Sequence, residues 1–195
     1  IDGARIELTP SRAIQIQNEL GGDIIMAFDD CPPAMAGLRE QGNQVQSRVS
    51  SGPRASTEPV ARIQQACQRS VRWLDRCVAA HKRSHDQALF GIIQGGVDLD
   101  QRDWCLRQVC SHDLPGFAIG GVSVGEGHEG LKKVVQHVAP KMPQAQPRYL
   151  MGVGYERDIL VAVRAGIDMF DCVLPTRNGR NACAFTSTGR IKLRN

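Results

Sequence analysis

"ALFGIIQGGVDLDQRDWCLRQVCSHDLPGFAIGG", residues 88–121, decides the fold. It opens on an apolar run of strand length that shows no alternation and stops at Gln94 and two glycines. That is the pattern of a strand covered on both faces. "DQRDWCLRQVCSH" then has the length and composition of a helix, and "GFAIGG" begins a second buried run that breaks at Gly120-Gly121. A strand, a helix and a strand in succession predict a parallel pair joined by a right-handed crossover.

The same unit repeats on both sides. Toward the N-terminus, "TPSRAIQIQNEL" carries a Thr-Pro-Ser cap signal and reads as a helix ended by Gly21-Gly22. "DIIMAF" is a buried strand stopping at Asp29-Asp30-Cys31. Residues 34–58 are rich in Gly, Gln, Ser and Arg and are expected to form a mobile loop. "PVARIQQACQRSVRWLDRCVAAHKR" places Val60, Ile63, Cys67, Val71, Leu74 and Val78 at helical spacing. Toward the C-terminus follow a helix at "GLKKVVQHVAPKM", a strand at "RYLMGVG", a helix at "ERDILVAVRAG", a strand at "DMFDCVL" and a hairpin at "NACAFTSTGRIKLRN". Every strand ends in polar or glycine residues: Asp29, Gln94, Gly121, Gly152 and Asp171. Parallel α/β architectures place their ligands at that end. We expect an α/β fold, part of a (β/α)8 barrel of the TIM type with five β/α units and a C-terminal hairpin; an open sheet is the alternative. A full barrel takes about 250 residues, so the 195 residues are expected to be one catalytic domain, incomplete at both ends.

Composition narrows the function. Apolar content of 42% and charged content of 23% suit a globular domain, and no apolar run is long enough to cross a bilayer. Seven scattered cysteines without a CxxC argue for reduced thiols in a cytoplasmic protein and against a zinc site built from this chain. The net charge is only +4, yet residues 172–195 hold Arg177, Arg180, Arg190, Lys192 and Arg194 and no acid. A patch of this kind suits a polyanion.

Two carboxylates stand out. Asp171 closes an apolar run and is followed by two arginines. It could act as a nucleophile on a sugar carbon, as in retaining glycoside chemistry, or it could cap a helix or pair with Arg177. Asp29 could accept two hydrogen bonds from a guanine-like edge, which only an acceptor pair satisfies; alternatively Asp29 and Asp30 open a solvated loop. Gln94 and the Gly120-Gly121 backbone could supply donors to a ring carbonyl, with glycine allowing close approach to a flat base. The five histidines show no ligand spacing, and Trp73 and Trp104 lie on helices as packing residues. No Ser-His-Asp arrangement or P-loop is present.

"DIIMAFDDC", "FGIIQGGV", "AIGGVSVGEG", "YLMGVG" and "GIDMFDCVLPTRNGRNACAF" together resemble the bacterial queuine tRNA-ribosyltransferase (tRNA-guanine transglycosylase) family, in the family's order and over most of the chain. The resemblance implies a (β/α)8 barrel that exchanges guanine at the anticodon wobble position of G-U-N tRNAs for the 7-deazaguanine preQ1, in queuosine biosynthesis. It implies Asp171 as the nucleophile on ribose C1′, with Asp29, Gln94 and Gly121 binding the base. It implies RNA contacts from Gly152, Val153, Gly154, Tyr155, Glu156, Arg157 and Asp158, and from Thr176, Arg177, Asn178, Gly179 and Arg180. The family's general acid/base aspartate would lie before Ile1. Its zinc ligands would lie beyond Asn195, so zinc is expected in the full-length protein with no ligand here. A homodimer in the cytoplasm, with no membrane, is likewise implied.

Residues 34–58 look longer than the family's usual connection. Val122-Ser123 stands where bacterial members commonly have Leu with Ala or Ser. Cys31 fits the bacterial pocket, so preQ1 is expected, with the larger base queuine of eukaryotic members as the alternative. The piece alone is expected to be inactive and marginally stable. Two other functions compete: a non-catalytic tRNA-binding relative, such as a partner subunit, and a barrel enzyme acting on a phosphorylated small molecule. Asp171 with the whole TRNGR segment favours the enzyme over the first, and the acid-free basic tail disfavours the second.

Overall fold

A computed structural model describes residues 7–33 and 59–193. The expected loop at 34–58 lies outside the described residues. Five strands, β1 (Ile24–Met26), β2 (Ala88–Ile93), β3 (Gly116–Ile119), β4 (Arg148–Leu150) and β5 (Met169–Phe170), form one parallel sheet in the order β1-β2-β3-β4-β5. Each strand therefore pairs with the next one in sequence. Right-handed crossovers between successive neighbours put every connecting helix on the same face. An open doubly wound sheet would instead reverse its order at a switch point. The sheet is thus a stretch of a (β/α)8 barrel, as the alternation predicts.

The helices follow local rules. α1 (Pro10–Leu20) starts with Thr9 accepting from the Arg12 N–H at 3.2 Å and Pro10 in its first turn. It ends on Gly21 at φ 74°, whose N–H reaches Gln17 O. α2 (Pro59–Ala80) has Ile63, Cys67 and Leu74 buried on one face. α3 (Leu99–Val109) is capped by Asp98, which accepts from the Asp100 and Gln101 N–H groups at 3.0 and 3.1 Å. α4 (Gly127–Val138) and α5 (Glu156–Arg164) cover the later strands.

Residues on each strand divide between two faces. Leu89, Ile93, Phe117, Ile119 and Leu150 pack with Leu74, Leu106, Val109, Val134 and Val135 of the helices. Phe90, Ile92, Ala118 and Tyr149 alternate with them and so line the inner face of the curved sheet. Gly116 pairs with Phe90, and a Cβ there would stand 2.2 Å from the ring, so only glycine lets the ring cross β3. Trp73 stacks on Phe28 with centroids 5.0 Å apart, and Trp104 packs against the core, as their helical positions suggest.

The strand expected over 168–174 is much shorter. β5 spans only Met169–Phe170, and α6 (Leu174–Arg180) follows where no helix was anticipated. Asn178 and Gly179 are poor helix formers; the signal for a helix was Pro175, pre-set for a first turn. The tail forms the expected hairpin, β6 (Cys183–Thr186) with β7 (Gly189–Lys192).

Candidate active site

The carboxyl ends of β1, β2 and β3 converge on one buried group of side chains. Asp29 accepts a hydrogen bond from the Gln94 amide, and Gln94 is 1% exposed. Gly120 and Gly121 lie flat against that amide. A Cβ on Gly121 would stand 2.2 Å from Gln94 Oε1, and one on Gly120 would stand 2.7 Å from Nε2. Gly121 also has φ +63°, so the position wants glycine on two counts. Gln94 Oε1 is buried without a hydrogen-bond partner among the described residues. Such an acceptor costs about 1–3 kcal/mol unless a ligand or ordered water satisfies it.

Arg102 holds this corner together, and it escaped the sequence reading. It is fully buried. Its Nε donates to Gly96 O at 2.8 Å, its Nη1 to Ile93 O and Gly120 O at 2.8 and 2.7 Å, and its Nη2 to Gly121 O at 3.1 Å. One guanidinium thus ties the ends of β2 and β3. Burial pushes it down to about 10, so it remains a cation at neutral pH, faced by carbonyl dipoles. Its signal was present in the sequence: Arg102 shares the buried stripe of α3 with Cys105, Leu106 and Val109 at helical spacing.

Asp29 and Asp30 have opposite surroundings. Burial raises Asp29 above the usual carboxylate range, against the lowering effect of the Gln94 hydrogen bond. Burial also pulls on Asp30, but the hydrogen bonds and charges of Arg62 and Arg69 outweigh it and hold that carboxyl low. Arg62 grips Asp30 through both nitrogens, at 2.6 and 3.0 Å, and Arg69 adds a third bond. Asp30 therefore fastens α2, and only Asp29 turns toward Gln94. Cys31 stands at the rim, where burial and the Asp29 charge push its thiol up and keep it neutral.

The second part of the site lies at the ends of β4 and β5. Asp171 is exposed, and its Oδ1 accepts from Tyr149 Oη and from the Gly152 N–H, each at 2.7 Å. Both donors use one oxygen, which leaves Oδ2 without a protein donor among the described residues. Burial, then the Asp171 carboxylate, push the Tyr149 phenol up, so it stays protonated and donates. Asp171 neither caps α6, whose cap position is Val173, nor pairs with Arg177 among the described residues. Tyr149 is the second residue that sequence reasoning missed. Its inward position follows from the alternation of β4.

The segments grouped with RNA contacts divide by exposure. Tyr155, Glu156, Arg157, Thr176, Arg177, Gly179 and Arg180 are exposed, as is Gly152 in a turn at φ +74°. Gly154 packs on Cys172, where a Cβ would meet Sγ at 2.2 Å. Three side chains in these segments are buried: Val153, Asp158 and Asn178 are 2%, 6% and 8% exposed. Val153 belongs to the core, and Asp158 is bound by His128 Nδ1. Asn178, with Gly154, Leu174, Pro175, Cys183 and Phe185, lines a cleft of about 250 Å³ between α6 and the hairpin.

Among the described residues no three His, Cys, Asp or Glu side chains converge on a metal position, and no helix is long and apolar enough to cross a membrane.

Known proteins extend these observations. A queuine tRNA-ribosyltransferase of Prochlorococcus marinus is 50% identical over 194 residues, covering all of this chain and 46% of that relative. Similar proteins of the same name from Synechococcus elongatus and a Nostoc species are 48% and 47% identical over the same length. The chain spans about 45% of the length of the curated relatives it matches. The family pattern of queuine tRNA-ribosyltransferase matches residues 1–195, and the chain belongs to that family.

Proposed function

We propose that the whole protein containing this chain is a tRNA-guanine transglycosylase that replaces guanine at the wobble position of G-U-N tRNAs with preQ1, through a covalent Asp171–ribose intermediate. The observation that carries this reading is the state of Asp171. Its Oδ1 is fixed by two donors while Oδ2 is left for a new bond, at the ligand end of a parallel sheet.

In the first step Oδ2 attacks C1′ of the ribose and the C1′–N9 bond breaks, its electron pair leaving on N9 of guanine. A general acid protonates the departing base. None of the described residues is assigned that role, and the resemblance gives it to a second aspartate. In the second step the incoming 7-deazaguanine gives its N9 proton to the conjugate base of that general acid and attacks C1′, and the Asp171 carboxylate departs. Tyr149 and Gly152 hold the carboxylate in place through both steps.

Base recognition is assigned to the buried corner. An ionised Asp29 accepts from N1–H and the exocyclic amine of a guanine-like edge. Gln94 Nε2 gives one hydrogen to Asp29 and has a second for the ring carbonyl. Arg177 and Arg180, exposed and without carboxylate partners among the described residues, take phosphates or bases of the anticodon loop. Zinc and a homodimer are proposed only for the whole protein. Among the described residues no three His, Cys, Asp or Glu side chains form a ligand set for it.

The test is exchange of labelled guanine into a G-U-N tRNA by the full-length protein, with trapping of the enzyme–RNA adduct. Asp171→Asn is expected to abolish the adduct while guanine still binds. Adduct at the wild-type level in that variant would remove Asp171 from the nucleophile role.

A further inference from the structure

Four exposed side chains beyond Asp171 form a row that base recognition does not use. Tyr155, at the start of α5, meets Phe185 of the hairpin with ring centroids 5.9 Å apart and planes tilted by 50°. The Arg157 guanidinium lies over the Tyr155 ring at 5.9 Å, and that of Arg190 over the Phe185 ring at 5.9 Å. The order is therefore Arg157, Tyr155, Phe185, Arg190. The rings are 40% and 43% exposed.

The row has a definite place relative to the chemistry. Gly152, which donates to Asp171, is three residues before Tyr155, a reach of at most about 11 Å along the chain. Gly154 rests on Cys172, the residue after Asp171, and Phe185 lines the cleft beside Asn178. Arg177 and Arg180 stand on α6, which forms another wall of that cleft. The sequence holds no acid from residue 172 onward, while on α5 Glu156 is exposed beside Tyr155 and Asp158 lies 3.8 Å from Arg157 Nε.

We propose that Tyr155 and Phe185, flanked by Arg157 and Arg190, are a stacking platform for an unpaired base of single-stranded RNA next to the reacting nucleotide; this rests on the tRNA reading above. Aromatic faces hold bases with little regard to sequence, and guanidinium planes stack on bases or take the flanking phosphates. A reacting nucleotide turned into the site leaves its neighbours unstacked, and a platform beside the nucleophile gives one of them a new partner. A protein partner would more naturally meet the rings with apolar or acidic groups. The basic rim favours a polyanion with flat rings.

The test uses the full-length protein and an anticodon stem-loop RNA carrying 2-aminopurine at each unpaired position flanking the target guanosine. Stacking should quench one of these probes on binding. Tyr155→Leu and Phe185→Leu should each relieve that quenching and weaken RNA binding roughly 5- to 150-fold, the usual effect of a lost base–aromatic stack. Their salt dependence should be unchanged, and free guanine should bind as before. Tyr155→Trp should restore quenching. Arg157→Gln and Arg190→Gln should lower the salt dependence instead.

Unchanged RNA binding and quenching in both leucine variants, with wild-type exchange intact, would overturn the platform alone. Equal loss of guanine and RNA binding with a lowered Tm would also overturn it, by showing that the rings only brace the fold or lie under another segment of the chain. Failure of the wild-type protein to exchange base into tRNA would overturn the transglycosylase reading as well.

Discussion

Asp29 and Asp171 both stand at the carboxyl end of a parallel strand, yet their surroundings differ in almost every respect. Asp29 is half-buried, raised by desolvation, and wired to a glutamine that is itself pressed against two glycines. Behind it a single buried arginine fastens four carbonyls. Asp171 is exposed and held by two donors on one oxygen, beside a short helix and a solvent-facing hairpin. The closed corner suits reading a small flat molecule, where each polar group must meet its partner away from water. The open corner suits a macromolecular substrate, which brings its own surface to complete the site.

The most disruptive way to break this contrast is to remove Arg102. Arg102→Met leaves the carbonyls of Gly96, Gly120 and Gly121 without that donor, while Ile93 O still accepts from the Gly120 N–H at 3.1 Å. Each buried unsatisfied group costs about 1–3 kcal/mol, and loss of the cation offsets part of that, so a net fall on the order of 3–5 kcal/mol is expected. Chemical denaturation of the full-length protein measures it. Arg102→Lys should rescue little, since one ammonium cannot span the fork.

A sharper probe is Asp29→Ala, which should weaken free guanine binding by at least about 10²-fold, because charged hydrogen bonds contribute about 1.5–3 kcal/mol each. RNA affinity should barely move. Equal losses of base and RNA, measured by equilibrium binding, would erase the division between the corners.

At the open corner Tyr149→Phe removes one of two donors to Asp171. A fall of about tenfold in kcat is expected, with base KM unchanged and Gly152 still in place. No change in kcat would make Tyr149 a packing residue.

The smallest effect concerns stability. Because burial raises Asp29 in the folded protein, its favourable contribution is complete below the unfolded value of 3.8 and is lost as pH rises through the higher folded value. Asp29→Asn should therefore raise Tm modestly at neutral pH, and the advantage should vanish in acid. In the wild type, guanine binding should weaken as pH falls through that same raised value. A lower Tm for Asp29→Asn at neutral pH would contradict the burial cost.

Much of this architecture was legible in the sequence. Buried strands betray themselves as unbroken apolar runs, and Gln94, Gly121 and Asp171 mark their ends. α1 was readable to its caps because Thr9, Pro10 and Gly21 act locally. Arg102 and Tyr149 were not singled out, because their roles depend on what tertiary contacts set beside them. Arg102 lies in an apolar stripe that only folding turns toward strand-end carbonyls. Tyr149 meets Asp171 across two strands whose register no local signal gives. α6 was hidden by Asn178 and Gly179, which weaken helix propensity. The buried Val153 and Asp158 show the same limit: along one short run, neighbouring side chains divide between solvent and core.

The guanidinium tie has a consequence for how such a protein can change. Its anchor points run only from Ile93 to Gly121, within one strand–helix–strand unit, while Asp171 hangs from a different strand two positions further along the sheet. Inheritance can therefore act on the two separately. Substitutions around Gln94 and its glycine ledge leave Asp171 and its two donors in place, and drift in the hairpin leaves the buried corner untouched.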